Sequence, residues 1–139
     1  MSNSLDHANA PAFGYLQMLH ESFRHCGSLF CLGIDPVPEC LPERFSGNLE
    51  DGVVGYYTEV LAMARSLRTE PAAFKPNIGF FHALDRPRAA DFSGSRALAR
   101  LLTLIQREFP EAPIILDAKR GDIARSSRNY GLEAFRAWG

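Results

Sequence analysis

The sequence has few cysteines, a single tryptophan and almost no net charge. Its three cysteines, Cys26, Cys31 and Cys40, are odd in number and show no C-x-x-C spacing, so they suggest no disulfide framework. A reducing compartment suits them, and a cytoplasmic location is expected. Fifteen Lys and Arg face sixteen Asp and Glu, a formal charge of −1, which leaves no basic field to attract nucleic acid. No apolar run approaches the roughly 18 residues that span a bilayer, so no membrane partner is expected. The opening stretch, MSNSLDHANAPAF, lacks the basic start and apolar centre of a secretory signal. His20, His25 and Cys26 lie close together, but nothing near them completes a metal-ligand set of the usual spacing.

What is present is a globular pattern: 139 residues, 46% hydrophobic, with no low-complexity segment or linker dividing them. One domain over 1–139 is expected. Phe13, Leu16, Leu19, Phe23 and Cys26 recur at helical spacing and predict an opening amphipathic helix that ends at Gly27. SLFCLGI, 28–34, is apolar without alternation, as in a strand covered on both faces, and Asp35, Pro36 and Pro38 break it into a loop. Asn48 is a candidate N-cap, with Glu50 and Asp51 in the first turn of a helix reaching to about residue 68.

AAFK, 72–75, is the second predicted strand, and Pro76 opens a loop. A third helix is predicted over 95–109, with Leu98, Leu101, Leu102 and Ile105 inward, then a strand in APIIL, 112–116, and a last helix over 124–138. Strands and helices alternate, and each helix is long enough to cross back, which points to parallel strands in an α/β fold. Asp35, Lys75 and Asp117 each fall at the C-terminal end of a predicted strand. Both α/β barrels and open doubly wound sheets bind ligands at that edge.

The densest chemistry follows the third strand, in ILDAKRGDI, 115–123. On an extended backbone Asp117 and Lys119 project to the same side, and Gly121 permits a turn that redirects Asp122. One reading is a salt-bridge network, though exposed pairs add only roughly 0–1 kcal/mol and partly buried ones carry a desolvation cost. The other reading is catalytic. A lysine between carboxylates is held protonated and can deliver a proton to a carbanion. The carboxylates oppose any substrate anion beside them, by about 4 kcal/mol at ~4 Å and an effective dielectric of ~20. That suits loss of a carboxylate as CO₂ followed by protonation.

DAKRGDI resembles the D-x-K-x-x-D signature of the orotidine 5′-phosphate decarboxylase family, in the form of its bacterial type 2 branch. LGIDP and FKPNIGFF, at the ends of the first and second strands, agree with that family in the same order. The resemblance implies the N-terminal portion of a (β/α)8 TIM barrel, about three β/α units ending before a fourth strand. It implies conversion of orotidine 5′-phosphate (OMP) to UMP and CO₂ in pyrimidine biosynthesis, with no cofactor and no metal. Asp35 would bind the ribose, and Lys75 would hold Asp117 and a ribose hydroxyl. Asp117 would face the leaving carboxylate, and Lys119 would protonate C6. Asp122 would reach the neighbouring active site across a homodimer interface. Ser126, where the family usually has threonine, would be lent to the partner in the same way. The family's phosphate-binding loops, phosphate-gripping arginine and lid belong to later strands.

Four further readings compete. A magnesium-dependent sugar-phosphate decarboxylase of the same superfamily shares the acid–lysine–acid motif. Lys75 as a Schiff-base lysine leaves the acidic third strand without a role, and the RGD of 120–122 is better explained by a turn than by cell adhesion. A non-catalytic fragment is the alternative from outside enzymology; on either reading residues 1–139 by themselves are expected to be inactive.

Overall fold

The structure, a computed structural model, describes residues 14–121 and 123–138, without the side chain of Arg125. Phe13 and Asp122 therefore lie outside the described residues. Helix α1, Tyr15–Cys26, stops where Gly27 turns left-handed at φ 66° and its N–H closes on the Phe23 carbonyl at 2.8 Å. Helix α2, Leu49–Ser66, starts at Asn48, whose side chain accepts the Asp51 N–H at 3.0 Å. Between them lie β1, Cys31–Ile34, and short 3₁₀ turns at Pro38–Cys40 and Glu43–Phe45. Strand β2, Ala73–Pro76, leads into the short helix α3, Ile78–His82, and then α4, Ser93–Glu108. Helix α5, Ala124–Leu132, continues into a π-helical turn at Glu133–Ala137. Among the described residues no helix is long and apolar enough to cross a membrane.

Strands β1 and β2 pair in parallel, with Ile34 opposite Pro76. The expected third strand is realised only in part. Residues 113–117 run parallel to β2, with Ile115 N–H on the Phe74 carbonyl at 2.8 Å and Asp117 N–H on the Pro76 carbonyl at 2.9 Å. In a parallel ladder the next donor to the Ile115 carbonyl would be the N–H of residue 76, and proline has none. The ladder is thereby split into isolated bridges at Phe74–Ile114 and Asn77–Asp117. Pro76 also differs from its expected place: it closes β2, and α3 replaces the predicted loop because Asn77 caps it by accepting the Gly79 N–H at 3.1 Å.

The core lies between β1–β2 and the inner faces of α2 and α4, where Ile34, Val53, Phe74, Leu98 and Ile105 have no exposed surface. Helix α4 presents Leu98, Leu101, Leu102 and Ile105 inward as its spacing predicts. Two glycines set how closely the elements approach. A Cβ on Gly52 would stand 2.0 Å from the Phe45 carbonyl oxygen, and one on Gly94 1.9 Å from that of Phe81. The first turns of α2 and α4 thus seat directly on backbone.

Two expectations about cover fail. The apolar stripe of α1 is not buried: Leu16 is 78% exposed and Phe23 is also exposed, while the buried residue is Ser22, whose hydroxyl donates to the Ala72 carbonyl. Strand β1 is not covered on both faces either, since only Ile34 of its residues is buried. Both sit at the rim of the two-stranded sheet, where among the described residues no further element packs over them.

Candidate active site

The C-terminal edge of the sheet gathers charge because three parallel segments end there together. Lys75 lies within β2, one residue before Pro76, and Asp117 pairs with Asn77 just beyond it. The backbone fixes Asp117 at both ends, through its N–H to Pro76 and through the Ile78 N–H, which donates to its carbonyl at 3.1 Å. Its side chain is 17% exposed and its Oδ2 receives Lys75 Nζ at 3.4 Å. Lys119 Nζ reaches the same Oδ2 and is itself mostly solvent-facing.

Lys119 arrives there by a route the sequence does not suggest. Its backbone is left-handed, at φ 50°, so the chain turns rather than continuing as a strand. The shared direction of Asp117 and Lys119 comes from this turn and not from an extended i, i+2 relation. Hydrogen bonding by Lys119, supported by its charge and by Lys75, holds the Asp117 carboxyl below the usual carboxylate range against the opposing effect of burial. Asp117 is thus an anion at neutral pH, flanked by two ammonium donors at the mouth of a parallel sheet. Such a site can repel an adjacent substrate carboxylate and hold a proton ready beside it.

Asp35 follows Ile34 directly and so stands at the tip of β1, beside the tip of β2, with its side chain exposed. Among the described residues it forms no ion pair with the lysines. Ile34 just before it lies in the same core cluster as Tyr57 of α2. Tyr57 is a core position, as its helical spacing predicts. Asn77 is missed by the sequence reading: it lies inside the quoted FKPNIGFF, yet its side chain caps α3 and its backbone pairs with Asp117.

The structure therefore joins Lys75, Asp117 and Lys119 and places Asp35 on the neighbouring strand end. Ser126 is half-buried in the first turn of α5, with no hydrogen bond to the cluster among the described residues. Phe81 packs in the core, whereas Phe80 is 37% exposed because it falls on the outer side of α3. Arg128 is exposed. His20 and His25 are exposed, and no group of three ligating side chains forms among the described residues. A largely apolar cavity of about 610 Å³ opens beside residues 112–116, bordered by Met18, Phe135 and Trp138, and none of the three clustered charges lines it.

No protein-family model matches the chain. Curated relatives do. The chain is 34% identical over 125 residues to the orotidine 5′-phosphate decarboxylase of Albidiferax ferrireducens, across 90% of its own length and 39% of the relative's. It is 35% identical over 125 residues to the orotidine 5′-phosphate decarboxylase of Polaromonas naphthalenivorans, covering 40% of that protein. The solved OMP decarboxylase of Leishmania donovani superposes with a TM-score of 0.64 at 26% identity, covering 91% of this chain and 41% of that one. The chain spans about two-fifths of the length of the curated relatives it matches. Over nine-tenths of its own length, then, this chain is similar to about two-fifths of the length of the orotidine 5′-phosphate decarboxylases it matches.

Proposed function

We propose that residues 1–139 form the N-terminal part of a (β/α)8-barrel orotidine 5′-phosphate decarboxylase. Asp117, Lys119 and Lys75 lie at its reacting centre. The observation that carries this reading is the Asp117 carboxylate held between two lysines at the C-terminal edge of parallel strands. Asp117 opposes the substrate carboxylate in the ground state and is relieved when that charge leaves as CO₂. The bond from C6 to the carboxylate breaks, its electron pair stays on C6, and Lys119 Nζ donates the proton that completes UMP. The lysine then regains a proton from solvent. Lys75 fixes Asp117 and reaches a ribose hydroxyl, and Asp35 binds the ribose from the adjacent strand end. The chemistry asks for no cofactor, because ammonium groups already in place stabilise the carbanion.

The same proposal includes a cytoplasmic homodimer in which Asp122 and Ser126 serve the partner's site. It also places phosphate binding on later strands of the barrel. The test is CO₂ release from OMP by the complete gene product, with and without a chelator. Turnover that survives chelation is expected. Turnover lost on chelation and restored by magnesium would favour the sugar-phosphate decarboxylase reading, and absence of turnover in both conditions would contradict the proposal.

A further inference from the structure

Lys119 holds a backbone conformation that its own side chain does not favour. Among the described residues three non-glycine positions have positive φ: Arg68 and Ala90 at 53° and Lys119 at 50°. Arg68 and Ala90 each close a helical turn, donating their N–H to the carbonyls of Arg65 at 3.1 Å and Pro87 at 3.0 Å. Lys119 ends no helix, so its turn must be held by what flanks it. On one side Asp117 is hydrogen-bonded to Pro76 and Ile78, and Ala118 packs against the core. On the other side stands Arg120. Its guanidinium lies over the Tyr130 ring of α5, 5.1 Å from the ring centre, and its Nη2 donates to both carboxylate oxygens of Glu133 at 3.3 and 3.4 Å. Arg120 therefore ties this loop to α5 and to the π-helical turn that continues it.

We infer that Arg120 is a positioning residue for Lys119: clamped between Tyr130 and Glu133, it fixes the far end of the left-handed turn from which the Lys119 ammonium reaches Asp117. Exposed ion pairs add little to stability, and the Arg120 and Glu133 side chains are 40% and 29% exposed, so the pair acts on geometry more than on folding. Stacking and a two-oxygen contact together fix the direction of a planar guanidinium, which a lysine could not reproduce. The inference rests on the proton-donor role given to Lys119 above, and it adds a residue that need not touch the nucleotide. A catalytic group misplaced by about 1 Å can cost about 10²-fold in rate, so a clamp on the neighbouring residue acts on kcat rather than on binding.

The test is steady-state kinetics with OMP, beside UMP binding, in the complete gene product. The variants are Arg120→Gln, Glu133→Gln, and Arg120→Gln combined with Lys119→Ala. Arg120→Gln is expected to lower kcat about 10- to 100-fold, with KM and UMP binding within a few-fold of the parent. Glu133→Gln leaves the stacking on Tyr130 and should lower kcat about two- to fivefold, the worth of one exposed ion pair. In the Lys119→Ala background Arg120→Gln should have no further effect, since the residue being positioned is gone. Unchanged kcat in Arg120→Gln, beside a strongly reduced kcat in Lys119→Ala, would overturn the inference and leave the proposed site standing. An equal loss in both backgrounds, or loss of UMP binding in a folded Arg120→Gln, would give Arg120 a general structural or nucleotide-binding role and overturn it too. Should Arg120→Gln fail to fold, Glu133→Gln decides by the same comparison. If Lys119→Ala itself turns over like the parent, the proton-donor assignment fails and the inference falls with it.

Discussion

Two regions of the molecule differ sharply in how well their apolar residues are covered. Toward α2 and α4, Leu98 and Ile105 have no exposed surface and Leu101 has 1%. Toward α1 and the C-terminal turn, Leu16 is 78% exposed and Phe135 87%, and an open apolar cavity of about 610 Å³ lies between them. Similar residue types occupy both sides, so hydrophobicity alone does not decide burial. What decides it is whether a packed neighbour faces the residue. The charged cluster sits at the boundary of the two regions: Lys75 stands on the well-packed strand, and Asp117 and Lys119 on the segment that borders the open cavity. The packed side supplies rigidity to a site whose other side is built on bridges.

This contrast can be broken by mutation. Leu101→Ala should cost about 2–5 kcal/mol in chemical denaturation, because it removes buried contacts and leaves a void. Leu16→Ala, the same chemical change on the exposed stripe of α1, should stay within about 0.5 kcal/mol. Equal effects at the two positions would show that α1 is packed as tightly as α4. Gly94→Ala should destabilise by about 1–3 kcal/mol, since its methyl group meets the Phe81 carbonyl and α4 must move off α3. A neutral result there would mean that the two helices slide apart freely.

A smaller effect is expected from the ion pairs that tie α2 to α4. Glu50 accepts from Arg96 at 2.7 Å and from Arg100 at 2.8 Å, and these hydrogen bonds hold its carboxyl below the usual range. A group with a depressed folded pKa stabilises above its unfolded value, near 4.3, and loses that contribution as pH falls through the folded value. Glu50→Gln should therefore melt slightly below the parent at pH 7, with the gap closing as pH is lowered below about 4. A gap that widened in acid would contradict the pairing.

Much of this was legible in the sequence, for reasons that differ by element. Helix α4 was readable because its leucines keep a helical period and each finds a facing partner. The start of α2 was readable because Asn48 followed by two acids is a local signal that needs no tertiary context. The split third strand was not, since it depends on which residue Pro76 pairs with across the sheet. Lys75, Asp117 and Lys119 were marked by their places after apolar runs, but the left-handed turn at Lys119 was not, because nothing in a lysine favours that backbone.

The most direct measurement is the kinetics of Lys119→Ala in the complete gene product, set beside its binding of UMP. Lys119 is mostly exposed and holds no core contact, so the variant should fold as the parent does. With the proton donor removed, kcat for decarboxylation of OMP should fall by at least about 10²–10⁴-fold, the usual worth of a positioned general acid. UMP binding should stay within a few-fold of the parent, since the lysine's binding contacts are secondary. Near-parental turnover in Lys119→Ala would contradict the account, and would move the proton donor away from the Asp117 cluster altogether.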